Sequence, residues 1–384
     1  MKLSAVSAFL VMLAGLGPGL PALAQEGVTD TAVSFAQVAT LEGPAAGSGV
    51  PINLGIRAAF EEANRAGGVN GRKLVLDVFN DDYEPERALE EVRGVIAGDA
   101  HIALIAPVGT PTAQATQPVA AEAGFLMIGP VTGADFLRAP ELGNVVNVRP
   151  SHSQETERWI KHLVDDKGLT KIAILYQDDS FGRSGLAGVV AALERRGMVL
   201  AAEGFYTRNT VAVKSALIDI RKSGAEAVVM VGTRNPMAEF IRLSRQLKYT
   251  PVFMHMSNVG PDFLIADLGA ESAGIISTQV VPFPSDTSVP LVAAYQAALA
   301  AVDPAASPGF LSLEGYITGR LAIAGLQAAG PAPTRAGFGA AMAGLGTVDL
   351  GGITLQFGPG DTQAMDDVFM TVITADGQVE PYGG

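Results

Sequence analysis

Short apolar runs alternate with longer amphipathic stretches along most of this chain. The runs have the length and apolar character of buried strands, at residues 32–38, 73–79, 101–106, 124–128, 171–176, 199–203, 227–231 and 252–255. The stretches between them place apolar residues near helical spacing, at residues 52–66, 85–97, 151–166, 181–196, 211–223 and 235–247. Strands that alternate with helices form parallel sheets with helices on both faces. Because the alternation forms two series, before and after about residue 150, it predicts an α/β fold of two doubly wound lobes.

The rest of the chain departs from this alternation. Pro282-Phe283-Pro284 is a stiff break, and two Ala-rich helices are predicted after it, at residues 289–301 and 311–329. The end of the chain is predicted to be β-like, at residues 353–357 and 368–373.

The first 24 residues have the pattern of a secretory signal peptide. A positive start at Lys2 precedes an apolar core, and Ala22-Leu23-Ala24 forms a cleavage site before Gln25. We therefore expect an exported protein, cleaved after Ala24 and located in the periplasm; an uncleaved N-terminal anchor is the alternative. The chain has no cysteine, which excludes a lipid-modified N-terminal Cys, disulfides and Cys-ligated metals.

Charge and motifs exclude several classes of function. The formal net charge of −13 disfavours nucleic acid and anionic lipid surfaces as partners, since both need clustered positive charge. The four His residues are not spaced as metal ligands, and we expect neither a metal nor a cofactor. The dinucleotide, phosphate-loop and nucleophile-elbow motifs are missing too, so we expect a binding protein and no enzyme.

Two strand ends carry Gly and Thr at the start of a predicted helix. They are the segments Pro-Val-Gly-Thr-Pro-Thr at 107–112 and Gly-Pro-Val-Thr-Gly-Ala at 129–134. Helix N-termini offer free backbone N–H groups to anions such as a carboxylate, and Thr adds hydroxyls. Ligands of open α/β sheets bind at the carboxyl ends of strands, where both segments lie. The pattern predicts a site that holds a small molecule; simple helix caps are the alternative.

Several longer motifs resemble one protein family. Gly67-Gly68-Val69-Asn70-Gly71-Arg72-Lys73, followed by Asn80-Asp81-Asp82 and Pro85, is similar to the type I periplasmic binding proteins of the leucine/isoleucine/valine-binding family. The segments Tyr176-Gln177-Asp178-Asp179-Ser180-Phe181-Gly182 and Ser312-Leu313-Glu314-Gly315-Tyr316 are similar to that family as well. The resemblance covers about residues 30 to 380.

The resemblance implies a monomeric solute receptor of an ABC importer. Its two lobes would be joined by a hinge of three crossings, close around the ligand and dock on the membrane permease. One lobe would comprise residues 26–149 and 282–362, and the other residues 150–281 and 363–384. A ligand-presenting partner of a sensory receptor is an alternative role.

The resemblance also places the ligand. Gly109, Thr110 and Thr112 would hold its carboxylate, with Val131, Thr132 and Gly133 as neighbouring contacts. Ser48 would face the ligand side chain, and Phe181 would supply an aromatic ring on the other side of the cleft. Thr233 or Arg234 would contact the ligand from the next strand-end loop.

The position of Ser257 or Asn258 is where amino-acid binders of this family place an acid for the ligand ammonium. No residue in 254–260 is acidic. Asp178 or Asp179 could replace the missing acid. Otherwise the ligand would be an aromatic or aliphatic carboxylic acid that lacks an α-ammonium, because an unpaired buried charge is costly.

Overall fold

The computed structural model describes residues 26–43, 46–358 and 360–382. The predicted signal peptide lies outside these residues. Among the described helices, none combines the length and the hydrophobicity that crossing a bilayer requires.

The first half of the chain builds a parallel sheet of the order β2-β1-β3-β4-β5. Its strands are β1 Ala32–Ala39, β2 Lys73–Asn80, β3 Ala103–Ile105, β4 Leu126–Ile128 and β5 Val145–Val146. The helices between them are α1 Ala46–Arg65, α2 Pro85–Gly98 and α3 Thr110–Glu122. Buried side chains of α1 fill a core on one face of the sheet, and α2 and α3 cover the other face. The sheet is therefore buried on both faces, as its continuous apolar strands predict.

The second series builds a sheet of the order β14-β13-β10-β9-β8-β6-β7, parallel except for the last two strands of the chain. The strands are β6 Ile172–Gln177, β7 Ala202–Tyr206, β8 Ala227–Val231, β9 Val252–His255, β10 Ile276–Gln279, β13 Phe369–Ile373 and β14 Val379–Pro381. The helices are α4 His152–Ile160, α5 Ser180–Glu194, α6 Lys214–Ser223, α7 Arg234–Gln246 and α8 Pro261–Leu268. A π-helical turn, Lys161–Asp166, continues α4.

Between β10 and β13 the chain returns to the first sheet. It forms α9 Pro290–Val302, α10 Phe310–Ala329, α11 Arg335–Ala343 and the hairpin β11 Thr347–Asp349 and β12 Thr354–Gln356. Their apolar side chains join the core that α1 shares with the first sheet. The α/β prediction with two doubly wound lobes is confirmed. The residue boundaries of the lobes stay a prediction.

Several predicted element bounds were wrong. β7 begins three residues later than expected, because Val199, although apolar, is 80% exposed and the pairing starts at Ala202 opposite Ala173. α1 begins at Ala46, six residues early, and contains Pro51. The sequence pattern did not reveal α8, α11, β11 or β14, which are all short elements, whereas β12 falls within the predicted β-like residues 353–357.

Candidate functional site

A cavity of about 390 Å³, including the part open to solvent, lies where the carboxyl ends of the two sheets face each other. This position agrees with the rule for open α/β sheets. The first sheet and its helices contribute Thr40, Ser48, Tyr83, Val108, Gly109, Thr110, Val131 and Thr132. The second sheet and its helices contribute His152, Phe181, Thr233 and Asn258, and the segment between β5 and α4 contributes Arg149.

One wall consists of the two Gly/Thr segments, which lie side by side. A parallel bridge between Val108 and Val131 extends the pairing of β3 and β4 beyond the strands. As a result the Thr110 and Thr132 hydroxyl oxygens are only 2.6 Å apart and both residues are buried. The N–H groups of Thr110 and Thr112 begin α3 and have no acceptor within their own helix. The wall therefore combines two hydroxyls with the positive end of a helix.

Gly109 allows this wall to approach an aromatic ring. Its φ of 105° lies in a region that L side chains rarely adopt. A Cβ at this position would lie 2.4 Å from Cε2 of Tyr83. The buried Tyr83 ring therefore packs directly against the Gly109 backbone and forms part of the cavity lining.

Arg149 brings a buried charge to the cavity. Its Nε and Nη2 donate to the two carboxylate oxygens of Glu314 at 2.7 and 2.6 Å, and its Nη1 donates to Ser257 Oγ at 3.3 Å. Ser257 Oγ in turn donates to Glu155 Oε1 at 2.9 Å. Burial by itself would lower the pKa of Arg149, but the charge and the hydrogen bonds of Glu314 outweigh it, and the pKa is raised. The guanidinium is therefore charged and is balanced within the wall.

His152 is a neutral lining residue. Its Nε2 accepts the N–H of Gly133 at 3.0 Å, so the ring proton is on Nδ1 and is shared with Ser184 Oγ at 3.0 Å. Burial, reinforced by the positive charges of Arg138 and Arg149, holds the pKa of His152 well below its usual range. The imidazole packs against the Phe181 ring, with the ring centres 5.5 Å apart.

The opposite wall is organised around Asn258. Its Nδ2 donates to the Gly232 carbonyl at 2.8 Å, which fixes the orientation of the amide. Its Oδ1 is buried and has no hydrogen-bond donor among the described residues. Ser48 Oγ donates to the Asn258 backbone carbonyl at 2.7 Å, so the first turn of α1 contacts this wall directly.

The structure brings most of the predicted ligand contacts together around this cavity. Those that line it are Ser48, Gly109, Thr110, Val131, Thr132, Phe181, Thr233 and Asn258. That they bind a ligand stays a prediction.

The other four predicted contacts are not in the lining. The Thr112 hydroxyl donates to the carbonyls of Val108 and Gly109, and the Gly133 N–H is taken by His152. Asp179 caps α5 by accepting hydrogen bonds from the N–H groups of Phe181 and Gly182, and this cap fixes the backbone of Phe181 at the cavity. Arg234 makes a two-bond ion pair with Asp267, at 2.6 Å for each bond, and stacks on Phe263 beside a smaller neighbouring cavity.

Sequence reasoning missed four lining residues, Thr40, Tyr83, Arg149 and His152, and did not single out Val108 within the predicted segment 107–112. Arg149 lay in a predicted lobe crossing and His152 in the first turn of a helix, and neither position carries a motif. Only the partners of Arg149, which are 165 and 108 positions away in sequence, reveal its role.

The candidates for the missing acid are engaged elsewhere. Asp178 forms an ion pair with the exposed Arg183, and Asp179 accepts from Gln177 besides capping α5. Of the residues that the structure describes, no Asp or Glu lines the cavity. No cluster of His, Asp and Glu in the described part of the chain could hold a metal ion.

Comparison with known proteins gives a consistent result. A profile of the family described as periplasmic binding protein matches residues 32–378. The Leu/Ile/Val-binding protein homolog 3 of Brucella melitensis is 30% identical over 217 residues, which are 56% of this chain and 57% of that protein. The chain thus matches little more than half the length of this curated relative.

Solved structures match over nearly the whole chain. A possible leucine/isoleucine/valine-binding protein from Rhodopirellula baltica is 34% identical with a TM-score of 0.88, over 95% of this chain and 98% of that one. A substrate-binding periplasmic protein from Ralstonia solanacearum is 28% identical with a TM-score of 0.85, over 91% of this chain and 99% of that one. These similar proteins are binding proteins and not enzymes.

Proposed function

The chain belongs to the periplasmic binding protein family, and from this membership we propose that it is the soluble receptor of an ABC importer. We propose that it captures a hydrophobic amino acid or a related small carboxylate between its two lobes. The observation that carries this proposal is the pair of Thr110 and Thr132 hydroxyls, 2.6 Å apart, at the start of α3. The relatives named for leucine, isoleucine and valine support the same class of ligand.

The carboxylate is proposed to bind at the start of α3. Without a ligand, the Thr110 and Thr132 hydroxyls can donate to each other, and a carboxylate would accept from both. It would also accept from the N–H groups that have no partner within the helix. Apolar contacts from Val108, Val131 and Phe181 would surround the rest of the ligand.

The lobes are proposed to close around the ligand by a hinge motion. One lobe comprises residues 26–149 and 282–362, and the other residues 150–281 and 363–384. Contacts across the cleft support this arrangement, because Glu84 accepts from Arg208 at 2.9 Å and from Asn209 at 2.7 Å. The closed form would dock as a monomer on the membrane permease. Export to the periplasm, with cleavage after Ala24, is part of the same proposal.

A thermal-shift screen with amino acids and carboxylic acids tests the ligand class. A ligand at about 100 times its Kd should stabilise the protein by about 2.7 kcal/mol. If no amino acid or carboxylate raises the melting temperature, the proposed ligand class is wrong.

A double variant tests the anchor. Thr110→Val with Thr132→Val keeps the shape of the wall but removes both hydroxyls, and we expect at least a tenfold loss of affinity by calorimetry. Thr116→Val is the matched control, because its hydroxyl donates to the Thr112 carbonyl within α3 and does not line the cavity. An affinity that is equal in the double variant and the control would reject the anchor.

A further inference from the structure

The cavity is electrostatically unsuited to a cation. Five lining residues lie at the N-cap or in the first turn of a helix: Ser48 in α1, Thr110 in α3, His152 in α4, Phe181 in α5 and Thr233 before α7. The Asp179 carboxylate already caps α5, so the other four termini contribute to the field. Each helix N-terminus carries a partial positive charge of about half a unit. The convergence of these termini favours an anionic group and disfavours an ammonium.

No acidic side chain among the described residues lines the cavity to offset the remaining field. The charged residue among the described lining residues is Arg149. The carboxylates that contact the wall are committed: Glu314 binds Arg149, Glu155 accepts from both the N–H and the hydroxyl of Ser257, and Asp179 accepts from the N–H of Phe181. The neutral His152 ring adds no charge. An α-ammonium in this cavity would therefore be buried without a charged partner, which is costly.

The cavity nevertheless calls for one hydrogen-bond donor from the ligand. Asn258 Oδ1 is buried without a donor among the described residues, and the bond from Nδ2 to the Gly232 carbonyl prevents the amide from turning over. A buried acceptor left unpaired costs about 1–3 kcal/mol. A neutral hydroxyl can satisfy the amide oxygen without bringing a charge.

From these two features together we infer that the preferred ligand is a 2-hydroxy carboxylic acid with a small apolar side chain, in place of the corresponding amino acid. This inference rests on the proposed capture of a small carboxylate. The carboxylate would bind at the start of α3, and the 2-hydroxyl would donate to Asn258 Oδ1.

Matched ligand series test the inference by calorimetry on the mature protein. Each of three skeletons, those of valine, leucine and phenylalanine, is supplied as the amino acid, the 2-hydroxy acid and the unsubstituted acid. We expect the 2-hydroxy acid of the best skeleton to bind at least tenfold more tightly than the amino acid, and more tightly than the unsubstituted acid. An amino acid as the tightest ligand would overturn the inference but leave the proposed receptor function intact.

If the unsubstituted acid binds as tightly as the hydroxy acid, the assigned role of Asn258 is wrong and the inference fails. If none of the nine compounds binds, the inference and the proposed hydrophobic ligand class fall together.

A substitution at Asn258 is expected to shift the ligand preference from the 2-hydroxy acid to the amino acid. Asn258→Asp places a carboxylate beside the same cavity, and we expect it to raise affinity for the amino acid at least tenfold relative to the hydroxy acid. Asn70→Asp is the matched control, since it adds the same charge at an exposed turn where Asn70 contacts the Gly330 carbonyl. A preference that is unchanged in the folded Asn258→Asp protein would contradict the assignment.

Discussion

Removal of one partner of the Arg149–Glu314 ion pair should strongly destabilise this protein. The two side chains are only 2% and 3% exposed, and two hydrogen bonds of 2.7 and 2.6 Å join them. Glu314→Gln keeps the shape but removes the counter-charge that is in direct contact with the buried guanidinium. Two unit charges about 4 Å apart interact by about 4 kcal/mol at an effective dielectric constant of 20. We therefore expect the free energy of unfolding to fall by about 3–5 kcal/mol.

Removal of both charges should cost far less than the sum of the two single changes. In Arg149→Met with Glu314→Leu, neither member of the pair is left buried alone, and Glu155 keeps its donors Ser257 and Thr278. The double variant should therefore lie within about 1–2 kcal/mol of the wild type. Urea unfolding followed by circular dichroism measures both values, because the shift of the midpoint multiplied by the slope gives the change in free energy. The reasoning is refuted if Glu314→Gln costs less than about 1 kcal/mol, or if the double variant costs as much as the two single variants added.

Three further outcomes follow from the geometry. Gly109→Ala places a Cβ 2.4 Å from the Tyr83 ring at a φ of 105°. It should lower the free energy of unfolding in urea by about 1–3 kcal/mol and abolish ligand binding. Wild-type ligand affinity in this variant would contradict the packing of Tyr83 against Gly109. Glu84→Gln weakens the contacts to Arg208 and Asn209 across the cleft, so ligand should dissociate about two- to fivefold faster in stopped-flow measurements, and an unchanged rate would count against closure by this contact. Burial lowers the pKa of His255 to about 4 from the 6.5 of the unfolded chain, so its contribution is complete above pH 6.5 and is lost as pH falls toward 4. His255→Asn should thus remove about 3 kcal/mol of the acid destabilisation seen in urea titrations between pH 6.5 and 4, and an identical pH profile would refute this.

Much of the fold could be read from local pattern. The strands β8 and β9 fall at the predicted residues 227–231 and 252–255. In β8 every residue is apolar and buried, so the apolar run has the same bounds as the strand. β7 was misplaced since its sequence alternates between buried and exposed positions and Val199 lies outside it. α11 was missed because only Phe338 and Met342 are buried in it, which is too weak a period to stand out.

In the candidate site, too, local features could be predicted from the sequence and contacts between distant elements could not. By itself, the sequence determined the anchor end of the cavity, because strand ends, Gly and Thr at helix starts are local features and neighbouring parallel strands bring them side by side. Only the tertiary structure decided the other end. The charge balance of Arg149 depends on Glu314, and the unpaired acceptor on Asn258 depends on Gly232. Such partners come from distant elements, and burial, which makes an unpaired charge or acceptor costly, exists only once those elements have packed together.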